Sequence, residues 1–159
     1  MEPIALTKKS SDLKSRLSIL PAVIIMALIF FFSSFEGEES GEQSLYISYF
    51  LAGAGEGLFN MELNDEEFML LASSIDGPVR KIAHMMEYGI LAAAVWFALI
   101  HWMKEEKKLY LYNILICAAY AASDEIHQSF VAERWGSPRD VLVDCVGVVI
   151  ATWMISELS

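Results

Sequence analysis

The sequence predicts an all-α integral membrane protein with four transmembrane helices in a single domain, residues 1–159. Hydrophobic residues make up 55% of the chain, yet it carries 21 acidic residues, so charged and apolar segments must be separated along the sequence. A bilayer core about 30 Å thick requires roughly 20 apolar residues of helix. Four segments meet this requirement: residues 17–35, 82–103, 109–127 and 138–155.

The first predicted span follows a basic lead of four residues. Its apolar region is longer than that of a typical signal peptide, and no A-x-A cleavage site follows it. We therefore expect this span to remain as a membrane anchor. The basic residues of the lead are Lys8, Lys9, Lys14 and Arg16.

A long acidic loop is predicted between the first and second spans. Residues 36–79 contain ten acidic residues and no Lys or Arg, which equals the formal charge of −10 of the whole chain. Such a balance argues against a nucleic-acid partner, which requires basic patches. Within the loop, Asn64 is a candidate N-cap followed by acidic residues, so NDEEFMLLASS predicts a short helix. Residues 44–53 predict a second helix at the membrane surface.

The basic residues beside the spans predict the orientation of the chain. Seven Lys and Arg residues lie in the N-terminal tail and in the loop 104–108, whereas four lie on the other side of the predicted membrane. Because basic residues favour the cytoplasmic side, we expect both termini to be cytoplasmic and the acidic loop to be extracytoplasmic. The four residues on the outer side are Arg80, Lys81, Arg134 and Arg139.

Cys117 and Cys145 both lie inside apolar runs and have no zinc-finger or CxxC spacing. They are therefore interpreted as small apolar residues in helix packing, not as a disulfide framework. His101, near the inner end of the second span, is interpreted as an interfacial residue.

Three of the four spans carry ionisable residues close to their predicted outer ends. At 1.5 Å per residue, these groups lie within about 10 Å of the ends of the second, third and fourth spans. Helical spacing places each set on one face, and the costly charges should turn toward one another or toward a wet cavity. We therefore predict an outward-facing polar pocket, rimmed by Arg80, Lys81, Arg134 and Arg139. The candidate ligand-binding residues are Lys81, His84, Glu87, Tyr88, Asp124, Glu125, His127, Gln128, Arg134, Asp140 and Asp144.

Several interpretations of these residues stay open at the level of sequence. The charges could only pin the helices together as a structural network. The Arg and Lys residues could recognise phosphate, and the carboxylates amines, of a lipid head group. The candidates for acid–base catalysis are His84, Glu87, Asp124, Glu125 and His127. The candidate ligands of a divalent metal are His84, Glu87, His127, Asp140 and Asp144.

Two stretches carry a family resemblance. RKIAHMMEYGIL (80–91) and SDEIHQSFVAERWGSPRDVLVDCVG (123–147) resemble the two signature regions of the VanZ-like membrane family, and SSFEGEESGEQS (33–44) resembles the serine-rich exit from its first helix. The resemblance covers about residues 20–155, and Met86 replaces an aromatic residue common before Glu87. It implies a multi-pass protein of the bacterial cytoplasmic membrane, in a family associated with low-level teicoplanin resistance.

Three functions follow from these observations. The first is a binding protein for a lipid, a lipid-linked envelope precursor or a lipoglycopeptide such as teicoplanin. The second is a membrane enzyme, metal-dependent or not, that acts on a lipid-linked envelope substrate. The third is a structural or interaction protein. The lipid bilayer is a partner in all three, and no nucleic acid is expected.

Overall fold

A computed structural model describes residues 15–35 and 37–158. These residues form long helices and contain no strand, which confirms the all-α prediction. Lys8, Lys9 and Lys14 of the basic lead lie outside the described residues. The helices are α1 (Leu20–Ser33), α2 (Gly37–Phe59), α3 (Asp65–Leu99), α4 (Glu106–Gln128) and α5 (Pro138–Leu158).

Three described helices are long and apolar enough to cross a membrane: Ser15–Ser33, Asp65–Leu99 and Pro138–Leu158. They include most of the first and second predicted spans and all of the fourth. The helix of the third predicted span, α4, is less apolar because it includes Asn113, Asp124 and Glu125, all of which are buried inside the bundle. The crossing of the membrane by α4 therefore stays a prediction.

The distribution of polarity across the bundle is that of a protein in lipid. Large apolar side chains such as Phe31 and Trp153 are exposed on the outside of α1 and α5, whereas Asn113 and Thr152 are fully buried. Asn113 Nδ2 donates a hydrogen bond to Thr152 Oγ1 at 2.8 Å, so α4 and α5 pair buried polar groups with each other in the interior. Lipid cannot supply such partners, and helices in a bilayer bury their polar groups against one another.

The acidic segment 36–79 was predicted to be a loop with two short helices, and this prediction is wrong in its loop character. From residue 37 onward the segment folds into a helical hairpin. α2 runs antiparallel to the first half of α3: Ser44 Oγ accepts a hydrogen bond from Arg80, Ser48 Oγ donates one to Asp76, and Tyr49 stacks on Phe68. The turn between the helices uses Asn60 in the left-handed region, with φ of 49°. The helix expected at 44–53 is thus the middle of α2.

The short helix predicted from NDEEFMLLASS is also longer than expected. Its start is confirmed, since Asn64 Oδ1 accepts from the Glu67 N–H and Glu67 Oε2 accepts from the Asn64 N–H, both at 3.0 Å. The helix then continues through Pro78 into the second predicted span. A proline removes one backbone hydrogen bond and often ends a helix. Here α2 contacts α3 on both sides of Pro78, at Asp76 and Arg80, and this packing maintains the helix.

α3 and α5 approach each other closely at small residues. Gly147 lies directly against the backbone of Met85, and Gly89 faces Ala151. This contact allows Tyr88 and Leu91 on α3 to pack with Val148 in the core of the bundle. Cys117 is buried in the same core, and it and Cys145 are free cysteines.

We predict that Gly147→Ala destabilises the bundle by about 1–3 kcal/mol, because the added methyl group would overlap the Met85 carbonyl. Gly89→Ala is the matched control: its methyl group would be in ordinary contact, 3.6 Å from Ala151 Cβ, and it gains the same helix propensity. The measurement is thermal unfolding in detergent. Equal Tm values for the two variants would contradict the close contact.

Candidate functional site

A buried carboxylate joins three helices near one end of the bundle. Asp124 Oδ2 on α4 accepts hydrogen bonds from Ser33 Oγ on α1 at 2.8 Å and from Tyr88 Oη on α3 at 3.2 Å. Gln128 Nε2, one turn further along α4, donates to the same oxygen at 2.9 Å. All four side chains are buried. The cluster therefore fixes the positions of α1, α3 and α4 relative to one another.

The connection between α4 and α5 closes over this cluster. The Ser137 N–H donates to Glu125 Oε2 at 2.8 Å, and Gly136 lies so close to the Glu125 carbonyl that no side chain would fit. Arg134 Nη1 donates to the carbonyl of Ser33 at 2.9 Å, which ties the connection to the end of α1. Glu133 adopts a left-handed conformation, φ 58°, that non-glycine residues rarely take. The connection is therefore held in one shape beside the cluster.

Burial lowers the pKa of the Arg134 guanidinium, and the charge of Arg80 lowers this pKa further. Asp124 and Glu125 act in the opposite direction and raise it. Because an arginine begins from a very high pKa, Arg134 remains a cation in this half-buried position. It brings a positive charge into a region rich in carboxylates.

Two neighbouring cavities open beside the cluster, and they share Arg80, His84 and Arg134. We call the larger, of about 430 Å³, the charged cavity, and the smaller, of about 210 Å³, the crevice. The charged cavity is lined by Asp76, Gly77, Arg80, Lys81, His84, Glu125, Gln128, Glu133, Arg134, Trp135, Asp140, Val143 and Asp144. The crevice is lined by Phe32, Ser33, Ser44, Ile47, Val79, Arg80, Ala83, His84, Glu87 and Arg134.

The ion pairs at the cavities are partly open to solvent, and the His84–Glu87 contact is an ion pair only when His84 is protonated. Arg80 contacts Asp76 at 3.2 Å, and Lys81 lies 3.9 Å from Asp140, with both side chains of the second pair about half exposed. His84 Nδ1 is 3.8 Å from Glu87 Oε2. Exposed pairs of this kind contribute little to stability, about 0–1 kcal/mol each. These charges therefore remain available to a ligand.

Most of the predicted site residues come together. Of the eleven, eight line the charged cavity or the crevice, while Tyr88 and Asp124 lie beneath them in the hydrogen-bonded cluster. His127 is apart from both cavities: its ring stacks on Phe30, with centroids 4.2 Å apart. Arg139, expected on the rim, is exposed and lines neither cavity. The eight lining residues are Lys81, His84, Glu87, Glu125, Gln128, Arg134, Asp140 and Asp144.

The candidate metal ligands are not gathered around one point. Within residues 15–35 and 37–158, no group of three or more His, Cys, Asp or Glu side chains is arranged to hold a metal ion. His127 is directed away to Phe30, while Asp140 and Asp144 face the charged cavity. Metal binding therefore stays a prediction, and the described residues do not form a ligand set in advance of metal binding.

Sequence reasoning missed several residues that line the cavities. Ser33 and Ser44 bring hydroxyls from α1 and α2, and Asp76 brings a carboxylate from the segment that was interpreted as a loop. The two serines lie in the stretch SSFEGEESGEQS, and helix periodicity alone does not connect that stretch to a site on other helices. Trp135 lies at the charged cavity and is 90% exposed.

Comparison with known proteins assigns the family. The profile of the VanZ/LLP1 family matches residues 18–158, nearly the whole chain. The chain belongs to the VanZ/LLP1 family. It is thus a VanZ-like envelope protein with membrane-helix character, and both signature stretches of the sequence fall within the matched region. No curated protein and no solved structure matches it.

We predict that Tyr88→Phe destabilises this VanZ-like protein by about 0.5–2 kcal/mol, because Asp124 loses one of its three donors. Tyr112→Phe on the exposed surface of α4 is the matched control and should leave Tm unchanged. Thermal unfolding of both variants in detergent is the measurement. The effects of Tyr88→Phe and Asp124→Asn should not add, since both remove the same contact. Additive losses would contradict the proposed cluster.

Proposed function

We propose that this VanZ-like protein binds the head group of a lipid or of a lipid-linked envelope precursor, in an outward-facing polar pocket. The observation that carries the proposal is the charged cavity, in which Arg80, Lys81 and Arg134 lie beside several carboxylates at one end of an apolar bundle. Ionisable groups are expensive in or near a bilayer, and where they persist they mark functional sites.

The chemistry of the cavity suits a head group better than an apolar ligand. Guanidinium and ammonium groups bind phosphate through charge-assisted hydrogen bonds, and carboxylates accept such bonds from amines. Trp135, almost fully exposed at the cavity, is a residue type that prefers the boundary between lipid and water. A head group at this boundary could reach the cavity while its lipid remains anchored in the bilayer.

The proposal includes the topology inferred from the basic residues. α1, α3, α4 and α5 would cross the bacterial cytoplasmic membrane with both termini in the cytoplasm. α3, at 35 residues, is about 52 Å long and exceeds the bilayer core, so its first half would extend outside together with α2. The charged cavity would then open on the outer side.

A link to teicoplanin resistance is part of the same proposal and comes from the family resemblance. Teicoplanin-type glycopeptides carry an acyl chain, so a site that accepts a head group at the membrane surface suits them as well. Whether the protein binds the precursor or the glycopeptide, it would change the access of the drug to cell-wall precursors. A structural role remains the alternative for the polar residues as a whole. For Asp124 and Tyr88 themselves, the hydrogen bonds that they make in the cluster favour this structural role.

The first test is native mass spectrometry of the protein released gently from its own membrane. We expect a stoichiometric lipid adduct in the wild type that is lost in Arg80→Gln, since Arg80 lines both cavities. Arg139→Gln is the matched control, because Arg139 lies on the same end of the bundle but lines neither cavity.

A bare wild-type mass would contradict head-group binding and favour a purely structural role. An adduct of metal in place of lipid would favour the membrane enzyme.

The topology has its own test in cells. Ala132→Cys, in the exposed connection between α4 and α5, should react with a membrane-impermeant maleimide in intact cells, as should Gly57→Cys on α2. Lys107→Cys at the start of α4 should react only after permeabilisation. Cys117 is buried and should not interfere, and Cys145, a half-buried free thiol, is replaced by serine in every variant. Reaction of Ala132→Cys and Lys107→Cys from the same side would show that α4 does not cross the membrane.

A further inference from the structure

The charged cavity and the crevice carry opposite charge. Among the described residues, the crevice is lined by the guanidinium groups of Arg80, which also pairs with Asp76, and of Arg134, and by one carboxylate, that of Glu87. The charged cavity adds Lys81, but there five carboxylates outnumber three cations. The crevice therefore favours an anion, and the charged cavity favours a cation. Because the two cavities share Arg80 and Arg134, the two binding regions are adjacent.

Asp144 is the residue that most favours a cation in the charged cavity. It lines this cavity, yet the residue is only 2% exposed. Among the described residues it has no hydrogen-bond or ion-pair partner, and the charged groups that act on it are carboxylates, chiefly Glu125, Asp124 and Asp140. Its oxygens open into the cavity, and a carboxylate so nearly enclosed among other carboxylates is unfavourable as an anion unless a cation accompanies it. A positively charged group in the cavity would supply the missing partner.

Arg80 is a cation whose hydrogen-bond donors are incompletely used, which favours an anion beside it. Its Nη2 donates to Ser44 Oγ and Asp76 Oδ2, but its Nε–H is buried and has no acceptor within the described part of the chain. The neighbouring Ser44 hydroxyl lines the crevice as well. Because Ser44 Oγ donates to the Gly41 carbonyl and accepts from Arg80, a phosphate in the crevice would be bound chiefly by the guanidinium groups of Arg80 and Arg134.

An apolar groove begins where the crevice ends. It is formed on α2 by Tyr46, Ile47, Tyr49 and Phe50, and it shares Ile47 with the crevice. Tyr46 and Phe50 are 81% and 75% exposed. Phe32, at the end of α1, faces the crevice from the other side and is also exposed. A hydrocarbon chain leaving the crevice would therefore meet a continuous apolar surface.

We propose that the ligand is a zwitterionic amphiphile: its phosphate lies in the crevice, its primary amine in the charged cavity, and one hydrocarbon chain along the apolar groove. This inference rests on the proposed function and names the chemical class of the head group. A primary ammonium suits Asp144 better than a quaternary one, because it has N–H donors to give to a carboxylate. The class includes aminophospholipids and envelope precursors with a free amine near a phosphate.

The test compares three lipids with identical chains: phosphatidylethanolamine, phosphatidylcholine and phosphatidylglycerol. Each is titrated into delipidated protein in detergent and the bound fraction is measured by native mass spectrometry. We expect phosphatidylethanolamine to bind about tenfold more tightly than the other two, the value of one charge-assisted hydrogen bond. Asp144→Asn should remove this preference, whereas Glu62→Gln, an exposed acid remote from the cavities, should retain it.

The apolar groove is tested with a second pair of variants on α2. Ile47→Asn should weaken binding of all three lipids, and Leu58→Asn should not, although Leu58 is equally apolar and more exposed. Tm values recorded for every variant separate loss of binding from loss of folding. Equal lipid binding by the two variants would overturn the assignment of the chain to the groove.

The outcomes separate this inference from the proposed function. Equal binding of the three lipids, lost in Arg80→Gln, would preserve head-group binding and overturn the requirement for an amine. Phosphatidylglycerol binding that depends on Mg²⁺ and disappears in Asp144→Asn would assign the charged cavity to a metal ion and also overturn the inference. Binding of no lipid would reject both proposals together.

Discussion

The arrangement of the bundle depends on one buried carboxylate. Asp124 accepts hydrogen bonds from Ser33, Tyr88 and Gln128, so a group that would be very unfavourable in lipid becomes the point where α1, α3 and α4 meet. All three donors reach Oδ2, while Oδ1 is buried without a hydrogen-bond partner in the described part of the chain, so losing a donor weakens the stabilisation of a carboxylate that is already incompletely paired. The neighbouring residue, Glu125, holds the next connection of the chain through the Ser137 N–H. Asp124 and Glu125, which are adjacent on α4, thus stabilise different contacts.

Close helix packing makes this polar centre possible. Gly147 lets α5 approach the backbone of Met85 on α3, and Tyr88 is then enclosed completely. The same contact brings Asp144, one turn before Val148, to the edge of the charged cavity. Small residues in the apolar half of the bundle therefore determine where the charged residues of the other half can meet. The cavity is a consequence of packing, and its chemistry is a consequence of the side chains at its wall.

The helical hairpin of α2 and α3 adds a second layer to the site. It brings Ser44, Ile47 and Asp76 to cavities whose other residues come from the bundle. Because α2 contacts α3 through Ser44 and Ser48, its polar face is held toward Arg80 while its aromatic residues remain exposed. The site therefore has charged walls and an apolar exit. This combination is the physical reason for proposing an amphiphile as the ligand.

The sequence by itself determined the helical class, the apolar segments and the family. These follow from local composition and from residue order. Seven of the eight lining residues are ionisable, and the sequence drew attention to them because ionisable groups beside apolar helices are rare. The tertiary structure decided what depends on distant contacts. α3 continues through Pro78 because α2 packs across it, His127 turns to Phe30 although it shares a helix turn with Asp124, and Ser33 becomes a partner of a residue 91 positions away. Helix periodicity assigns a residue to a face, but only the packing of the other helices determines what that face meets.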